Sequence, residues 1–428
     1  MLYDRWRQIA QTFPQQIALR DLAAERAWTF AQLEAEVEQR PAAAETVIFP
    51  QGNTADFFIS VLRAWRANQV VCPMDAGPWL LLPGAGWPNE DGPLPAGIAH
   101  LKTTSATTGA PRMVAFTAAQ LLADSQNIVT TMGLQPDWPN LGIISLAHSY
   151  GFSNLVLPLL LHGIPLILVG SALPEAVRRA SEFEPAVTLA AVPALWSNWH
   201  QADAIPLNVS LAISAGAPLP LKLEHAVFAS RGLKIHNFYG SSECGGIAYD
   251  SDSQPRTDGS CSGTPLAGVE VSVSDNGCLE VRGQAVAQTY WPEASPVLGN
   301  GLFRTSDLAE IRGGQVFLLG RAGDQINVAG RKVLPEQIEE ILTAHPNVRE
   351  CVTFGVPSPD ADHGEMIVAC LEVSEAVSAE TMRQFAITKL PAWQVPREWW
   401  FVTSIAANHR GKLSRAEWRR KYLERAGR

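Results

Sequence analysis

Apolar runs of strand length alternate with helical stretches along the first half of the chain, and that rhythm leaves few architectures open. Thr46-Val47-Ile48-Phe49 and Val70-Val71-Cys72-Pro73-Met74 flank a helical stretch over 54–67, and similar runs return at 141–145, 165–169, 187–191 and 211–214. Strands that follow one another through helices imply a parallel sheet with helices outside it, because a parallel pair cannot be joined by a tight turn. Two short amphipathic helices precede this pattern. Leu2, Trp6 and Ile9 fall at helical spacing, and Thr29 stands where it caps a second helix. From about Gly263 the runs become short and alternating, as in Val269-Glu270-Val271-Ser272-Val273 and Leu279-Glu280-Val281-Arg282, with Gly and Asp turns between them. That pattern reads as antiparallel strands. Beyond Gly320-Arg321-Ala322-Gly323-Asp324 a compact segment with its own apolar pattern runs to the C-terminus.

The expected fold class is therefore α/β. A large N-terminal region (1–320) of stacked, mostly parallel sheets with helices carries a small β-rich part, and a small α+β C-terminal domain (324–428) follows. A hinge is expected at 321–323, where Gly320 and Gly323 offer backbone freedom. Bulk properties narrow the function. The 428 residues exceed one ordinary core. With 46% hydrophobic and 18% charged residues, the chain has a globular composition. A net charge of −9 argues against nucleic acid as a partner, since such binding needs a basic footprint. Six cysteines lie scattered without a CxxC pair, which points to buried thiols rather than a zinc or redox site. Charges in Asp4, Arg5 and Arg7 interrupt any secretory leader, and the apolar stretch 155–170 is broken by Pro158, His162, Gly163 and Pro165. No membrane span and a cytoplasmic location are expected.

Chemistry concentrates in four segments. Thr103-Thr104-Ser105-Ala106-Thr107-Thr108-Gly109-Ala110-Pro111-Arg112 sets five hydroxyls close together before a glycine and a cation. Such a loop can cradle phosphate oxygens, and it can equally be a solvated Ser/Thr loop. It is not a Walker loop, for there is no GxxxxGK[ST]. Asn237-Phe238-Tyr239-Gly240-Ser241-Ser242-Glu243 follows Ser214-Ala215-Gly216-Ala217-Pro218. An aromatic face for a purine, glycines that admit it and a carboxylate for magnesium are the parts of a nucleotide site, although a core Tyr and a surface Glu account for the same residues. Phe303-Arg304-Thr305-Ser306-Asp307-Leu308, followed by Gly320-Arg321, offers a strand-end Asp able to accept hydrogen bonds from ribose hydroxyls. Gly411-Lys412-Leu413-Ser414-Arg415 presents a lysine that can bring a point charge to an anion. The basic stretch 415–428 reads as a solvated terminal helix.

Taken in this order, the segments resemble the signature set of the adenylate-forming superfamily, which includes acyl-CoA synthetases, nonribosomal-peptide adenylation domains and luciferases. The pattern is most similar to acyl- or aryl-CoA ligases. The hydroxyl-rich loop resembles that family's TSGTTGxPK, Tyr239 to Glu243 its YGxTE, and Arg304 to Leu308 its [RK]TGDL. The stretch 320–333 resembles GRxDDxIKxxGxR, and 411–415 resembles GKxxR. Further likenesses run through Pro73-Met74-Asp75, Ser262-Gly263-Thr264-Pro265 and Leu390-Pro391-Ala392-Trp393, so that they span nearly the whole chain.

The resemblance implies that a carboxylic acid substrate is activated by ATP as its acyl-AMP, then passed to a thiol of CoA or of the phosphopantetheine on an acyl or aryl carrier protein. A degenerate nucleotide-binding protein of the same fold, without ligase activity, is the alternative. The implied site residues follow the motifs. Thr104, Ser105, Thr107, Thr108, Gly109 and Arg112 would hold the β- and γ-phosphates. Gly216, Ala217 and Pro218 would floor the adenine pocket, with Asn237, Tyr239, Gly240 and Ser242 around the purine. Glu243 would hold Mg²⁺, Asp307 and Arg321 would bind the ribose, Lys412 would be catalytic, and Gly330 would border the pantetheine channel. His148, in Leu146-Ala147-His148-Ser149-Tyr150-Gly151, matches a substrate-gate position, or else is a satisfied core histidine. No acid follows it at Phe152, Ser153 and Asn154, where amino-acid-adenylating relatives place one, so an aryl or fatty acid is favoured. The residues Val192-Pro193-Ala194-Leu195-Trp196 are expected to wall that pocket. The family's small C-terminal domain rotates between half-reactions. Ala106, Arg112, Ser306 and Gly323 depart from the family pattern, and the short segment between Asp75 and Thr104 implies that a peripheral strand and helix are missing.

Overall fold

Thr29 accepts a hydrogen bond from the Gln32 amide at 3.2 Å, and the Gln32 side chain accepts one from Thr29 N at 2.9 Å. This reciprocal cap starts the helix Phe30–Gln39 where the sequence places it, and is worth about 1 kcal/mol. The computed structural model describes residues 1–41, 43–75, 93–103, 113–358, 364–405 and 414–426. The helix Leu2–Thr12 turns Leu2, Trp6 and Ile9 inward, and Ala55–Arg66 buries Phe57, Phe58, Val61, Leu62 and Trp65. The described residues form two compact units. One comprises 1–272, 280–304 and 311–316, and the other 273–279, 305–310 and 317–428.

The first unit is built on two sheets. In the larger, Val209–Ser214 pairs in parallel with Ile235–Ser241 on one side and Val187–Ala191 on the other. Asn140–Gly142, Leu166–Leu168 and Ile17–Asp21 continue the parallel order. The antiparallel part begins earlier than the expected Gly263, because Ile235–Ser241 already pairs antiparallel with Gly245–Tyr249, and that strand with Cys261–Pro265. The smaller sheet runs Thr289–Trp291, Met113–Thr117, Ile98–Thr103, Val70–Val71 and Val47–Ile48. Only its last three strands are parallel. The helix Ala118–Met132 lies against strands of both sheets. Apolar residues of the parallel strands bury almost completely, as in Leu189, Ala212 and Ile235, which fits a sheet covered on both faces.

In the second unit Val348–Pro357 pairs antiparallel with Glu365–Val373, which pairs in parallel with Glu398–Val402. The helices Pro335–Thr343, Ala379–Ile387 and Arg415–Arg425 complete it, together with the hairpin Ile326–Val328 and Arg331–Val333. All six cysteines are buried free thiols, as the sequence implies. Among the described residues no helix is long and apolar enough to cross a membrane.

Four charged side chains, Glu224, Lys234, Asp250 and Arg256, are buried together next to the ends of the strands Ile235–Ser241 and Gly245–Tyr249. Lys234 contacts both Glu224 and Asp250, and Arg256 Nε donates to Glu224 Oε2 at 2.9 Å. Two cations thus neutralise two anions in a region of low dielectric, and removing one partner strands a buried charge. Lys234→Met is expected to lower the unfolding free energy by about 3–5 kcal/mol, read from the urea midpoint at an unchanged slope. A loss below about 1 kcal/mol would show that the cluster is relaxed by water.

Candidate active site

In open α/β sheets, ligands bind where the chain leaves the carboxyl ends of the parallel strands. Val209–Ser214 ends in such a place. Ala215 N donates to Ala191 O at 3.2 Å, and Gly216 then turns with φ +87°, a conformation L side chains rarely adopt. A Cβ at Gly216 would lie 3.4 Å from Val192 Cγ1, so the turn sits directly on the chain leaving the neighbouring strand. Ala217 is half-buried and Pro218 exposed. Behind them Arg256 donates to Leu219 O at 2.7 Å and to Cys261 O at 2.7 Å, which ties the turn to the charge cluster.

The register Ser214↔Asn237 brings the next strand alongside. Asn237 is buried and donates to Cys261 O at 3.2 Å, so its amide fixes the strand. Tyr239 pairs with Ala248 and is half-buried; the register then shifts, and Gly240 stands opposite Gly246. A Cβ on Gly240 would come within 2.5 Å of Gly245 O, so the close approach demands glycine. This bulge re-aims the chain into the turn 241–244. Ser241 Oγ accepts from Glu243 N at 3.2 Å, and Ser242 lies half-buried between them.

Glu243 is fixed by groups from far along the chain. Its backbone oxygen accepts from Ala287 N at 2.9 Å, and Tyr290 OH donates to its Oε1 at 3.0 Å. Tyr290 lies on Thr289–Trp291, which pairs with Met113–Thr117; that strand in turn pairs with Ile98–Thr103, with Thr103 opposite Met113. Thr103 and Met113, the described residues on either side of the hydroxyl-rich segment, therefore pair on a hairpin one strand away from the residue that holds the Glu243 carboxylate. Thr104, Ser105, Thr107, Thr108, Gly109 and Arg112 themselves lie outside the described residues, as does Lys412.

His148 is not a core histidine. Its side chain is 29% exposed, and Nε2 stands 3.0 Å from Asp75 Oδ2, while Ser145 Oγ donates to Asp75 Oδ1 at 2.8 Å. Asp75 follows a strand of the smaller sheet and His148 follows one of the larger, so the pair bridges the carboxyl ends of both. A carboxylate on one ring nitrogen sets the orientation and tautomer of the imidazole. Gly151 lies close below, where a Cβ would fall 2.0 Å from Ser145 O. Of the residues 192–196 expected to wall the acid pocket, Trp196 is fully buried and donates to Ile213 O at 3.1 Å within the sheet's core.

In the second unit Asp307 differs from its expected position. It is not at a strand end but inside Leu302–Arg312, which continues because Leu308 and Ala309 are buried. Arg321 Nε donates to Asp307 Oδ1 at 3.1 Å, and Asp307 N donates to Thr305 Oγ1 at 3.0 Å. Gly320 has φ +147°, and a Cβ there would meet Glu336 Oε2 at 2.5 Å, whereas Gly323 sits in a short 3-10 turn with nothing near it. The requirement for glycine thus falls on Gly320. Gly330, with φ +83°, and Ala329, with φ 48°, form the two-residue turn of the hairpin.

Three residues of consequence escaped the motif reading. Asp75 stood in a noted segment but without a partner, and Tyr290 has no local signal. Arg415 closes the Gly411–Arg415 motif, yet nothing in that motif shows what it binds. Its guanidinium meets Asp324 at 3.0 Å, Glu336 at 2.8 Å and Glu339 at 2.7 Å. Burial opposes the arginine charge, but Glu339 leads these carboxylates in raising its pKa. The start of the last helix is thereby anchored three residues after Lys412.

Two family models match the chain: AMP-binding enzyme over residues 83–291, and AMP-binding enzyme C-terminal domain over 337–412. A protein named as a probable 2-succinylbenzoate–CoA ligase, from Mycobacterium tuberculosis, is 29% identical over 345 residues, covering 77% of this chain and 86% of its own. An anthranilate–CoA ligase of Pseudomonas aeruginosa is 30% identical over 352 residues, with coverages of 76% and 67%. Among solved structures, ATP-bound MatB from Rhodopseudomonas palustris superposes with a TM-score of 0.85 at 20% identity, over 99% of both chains, which is a likeness of fold. The chain belongs to the AMP-binding, adenylate-forming enzyme family.

Proposed function

We propose that this chain uses ATP to activate a carboxylic acid as its acyl-AMP and passes the acyl group to the thiol of CoA, with aryl acids as the favoured substrates. The observation that carries the reading is the convergence, at the carboxyl ends of neighbouring strands, of the Gly216 turn, Tyr239 and a Glu243 carboxylate held by Tyr290. The relatives above are named for ligation of aromatic acids to CoA, and the half-exposed His148 held by Asp75 suits a position at the acid. A carrier-protein phosphopantetheine presents the same thiol, so CoA alone as acceptor separates the two.

Gly216, Ala217 and Pro218 form the floor for adenine, and Tyr239 offers its ring face. Asn237, Gly240 and Ser242 shape the strand end around it. Asp307, steadied by Arg321, accepts from the ribose hydroxyls. Glu243 suits Mg²⁺, which is commonly held by one or two carboxylates plus substrate phosphates rather than by a protein cage, and no cage occurs among the described residues. Bound there, the ion would neutralise charge on the phosphates. Thr104, Ser105, Thr107, Thr108, Gly109 and Arg112 take the β- and γ-phosphates. A carboxylate attacking the α-phosphorus brings two anions together, and Lys412 offsets that charge. One such contact is typically worth ~3–4 kcal/mol, or on the order of 10²–10³ in rate. The small domain at 324–428 turns about 321–323 between half-reactions, and Gly330 then borders the pantetheine.

Acid-dependent exchange of labelled pyrophosphate into ATP is expected with benzoate-like acids. A folded, Mg²⁺-supplied protein that exchanges with no aryl, fatty or amino acid would sink the reading. Lys412→Ala is expected to lower exchange by about 10²–10³ while thioester formation from preformed acyl-AMP stays near wild type. Equal loss in both halves would remove the lysine from the first step.

A further inference from the structure

Between the strand Ile98–Thr103 and the helix Ala118–Met132 lies a buried polar group that no motif assigns. Lys102 is 3% exposed and Asp124 1%. Lys102 Nζ donates to Ser153 Oγ at 3.2 Å, Ser153 Oγ donates to Asp124 Oδ2 at 2.6 Å, and Nζ stands 3.8 Å from that same oxygen. The other Asp124 oxygen accepts from Gly246 N at 3.1 Å. A Cβ on Gly245 would fall 1.9 Å from Asp124 Oδ1, so the turn after Glu243 is seated on this carboxylate without spare room. Lys102 Nζ also lies 4.6 Å above the Phe116 ring.

Stability alone is a weak account of the arrangement. A buried ion pair is often no better than an apolar pair of the same volume, because desolvation offsets the attraction. What the pair does provide is directional contact with three separate elements. Lys102 stands on the strand that leads into the hydroxyl-rich segment. Asp124 holds the turn that carries Glu243. Ser153 belongs to the π-helical turn Phe152–Val156, which directly follows the His148 segment. His100, two residues before Lys102 on the same face, is fully buried against Phe152 at 4.3 Å. Burial holds it well below its ordinary pKa, so its ring is neutral beside the lysine.

We propose that Lys102 and Asp124 are positioning residues that hold the Glu243 turn at the height needed for Mg²⁺·ATP and lock it, through Ser153, to the turn Phe152–Val156 that follows the His148 segment. The inference rests on the reading of Glu243 as the metal-side carboxylate. The test uses the paired variant Lys102→Met with Asp124→Asn, in which the charge is removed from both partners and neither is left stranded.

Three readouts are needed: the thermal midpoint, the half-saturating Mg²⁺ concentration in pyrophosphate exchange, and Mg²⁺-dependent ATP binding by calorimetry. The paired variant is expected to melt near wild type while its Mg²⁺ requirement rises by about 10–100-fold, with the acid KM within about two-fold. Wild-type Mg²⁺ dependence and turnover in a stable paired variant would overturn the proposal. Should the pair not fold, Ser153→Ala is the second variant, and a Mg²⁺ requirement raised several-fold supports the proposal while an unchanged one refutes it. A wild type that binds Mg²⁺·ATP but exchanges with no acid defeats the functional reading alone. Calorimetry on the variants then still decides the positioning role.

Discussion

The parallel pairing of Val209–Ser214 with Ile235–Ser241, in the register Ser214↔Asn237, is the constraint on which the site depends. Both strands point their carboxyl ends the same way, so the two chain exits lie side by side. One turns at Gly216 with a positive φ, and the other bulges at Gly240 because Gly245 O leaves no room for a side chain. A one-residue slip would exchange the faces of Asn237 and Phe238 and aim Tyr239 into the core. The register is held by the Asn237 amide on Cys261 O and by Arg256, whose guanidinium reaches both that carbonyl and Leu219 O. The buried charge cluster thus acts on the site through backbone carbonyls rather than by touching a ligand.

The second unit uses the same economy of means. Arg415 gathers Asp324, Glu336 and Glu339, and so fixes the first turn of the last helix against the segment after 321–323. Burial raises the pKa of Glu336, and the arginine works against that rise. Gly320 is kept small by the same Glu336 carboxylate, which lies where a Cβ would go. Gly320 is therefore a packing glycine, next to the residues proposed as a hinge.

The sequence made some of this legible because periodicity and caps are local signals. Thr29, the helix 55–66 and the strand Val187–Ala191 follow from spacing alone. The cluster of Gly216, Tyr239 and Glu243 was legible as a set of residue types, and the resemblance supplied their roles. What was not legible is long-range. Tyr290 reaches Glu243 across 47 positions, and Asp75 reaches His148 only because two different sheets end at the same place. Asp307, expected at a strand end, lies inside the strand because the buried Leu308 and Ala309 carry it onward. Lys102 belongs to no motif, and its burial becomes visible only with Asp124 and Ser153 around it.

The most direct test of the account follows oxygen. If a carboxylate oxygen attacks the α-phosphorus, pyrophosphate leaves, and the later attack of the thiol sulfur on the acyl carbon releases AMP still carrying that oxygen. With an aryl acid labelled in both carboxylate oxygens, CoA, ATP and Mg²⁺, mass spectrometry of the products should find one heavy oxygen in AMP and the other in the thioester. Unlabelled AMP, or label in inorganic phosphate with ADP as the nucleotide product, would contradict an acyl-adenylate and with it the central claim.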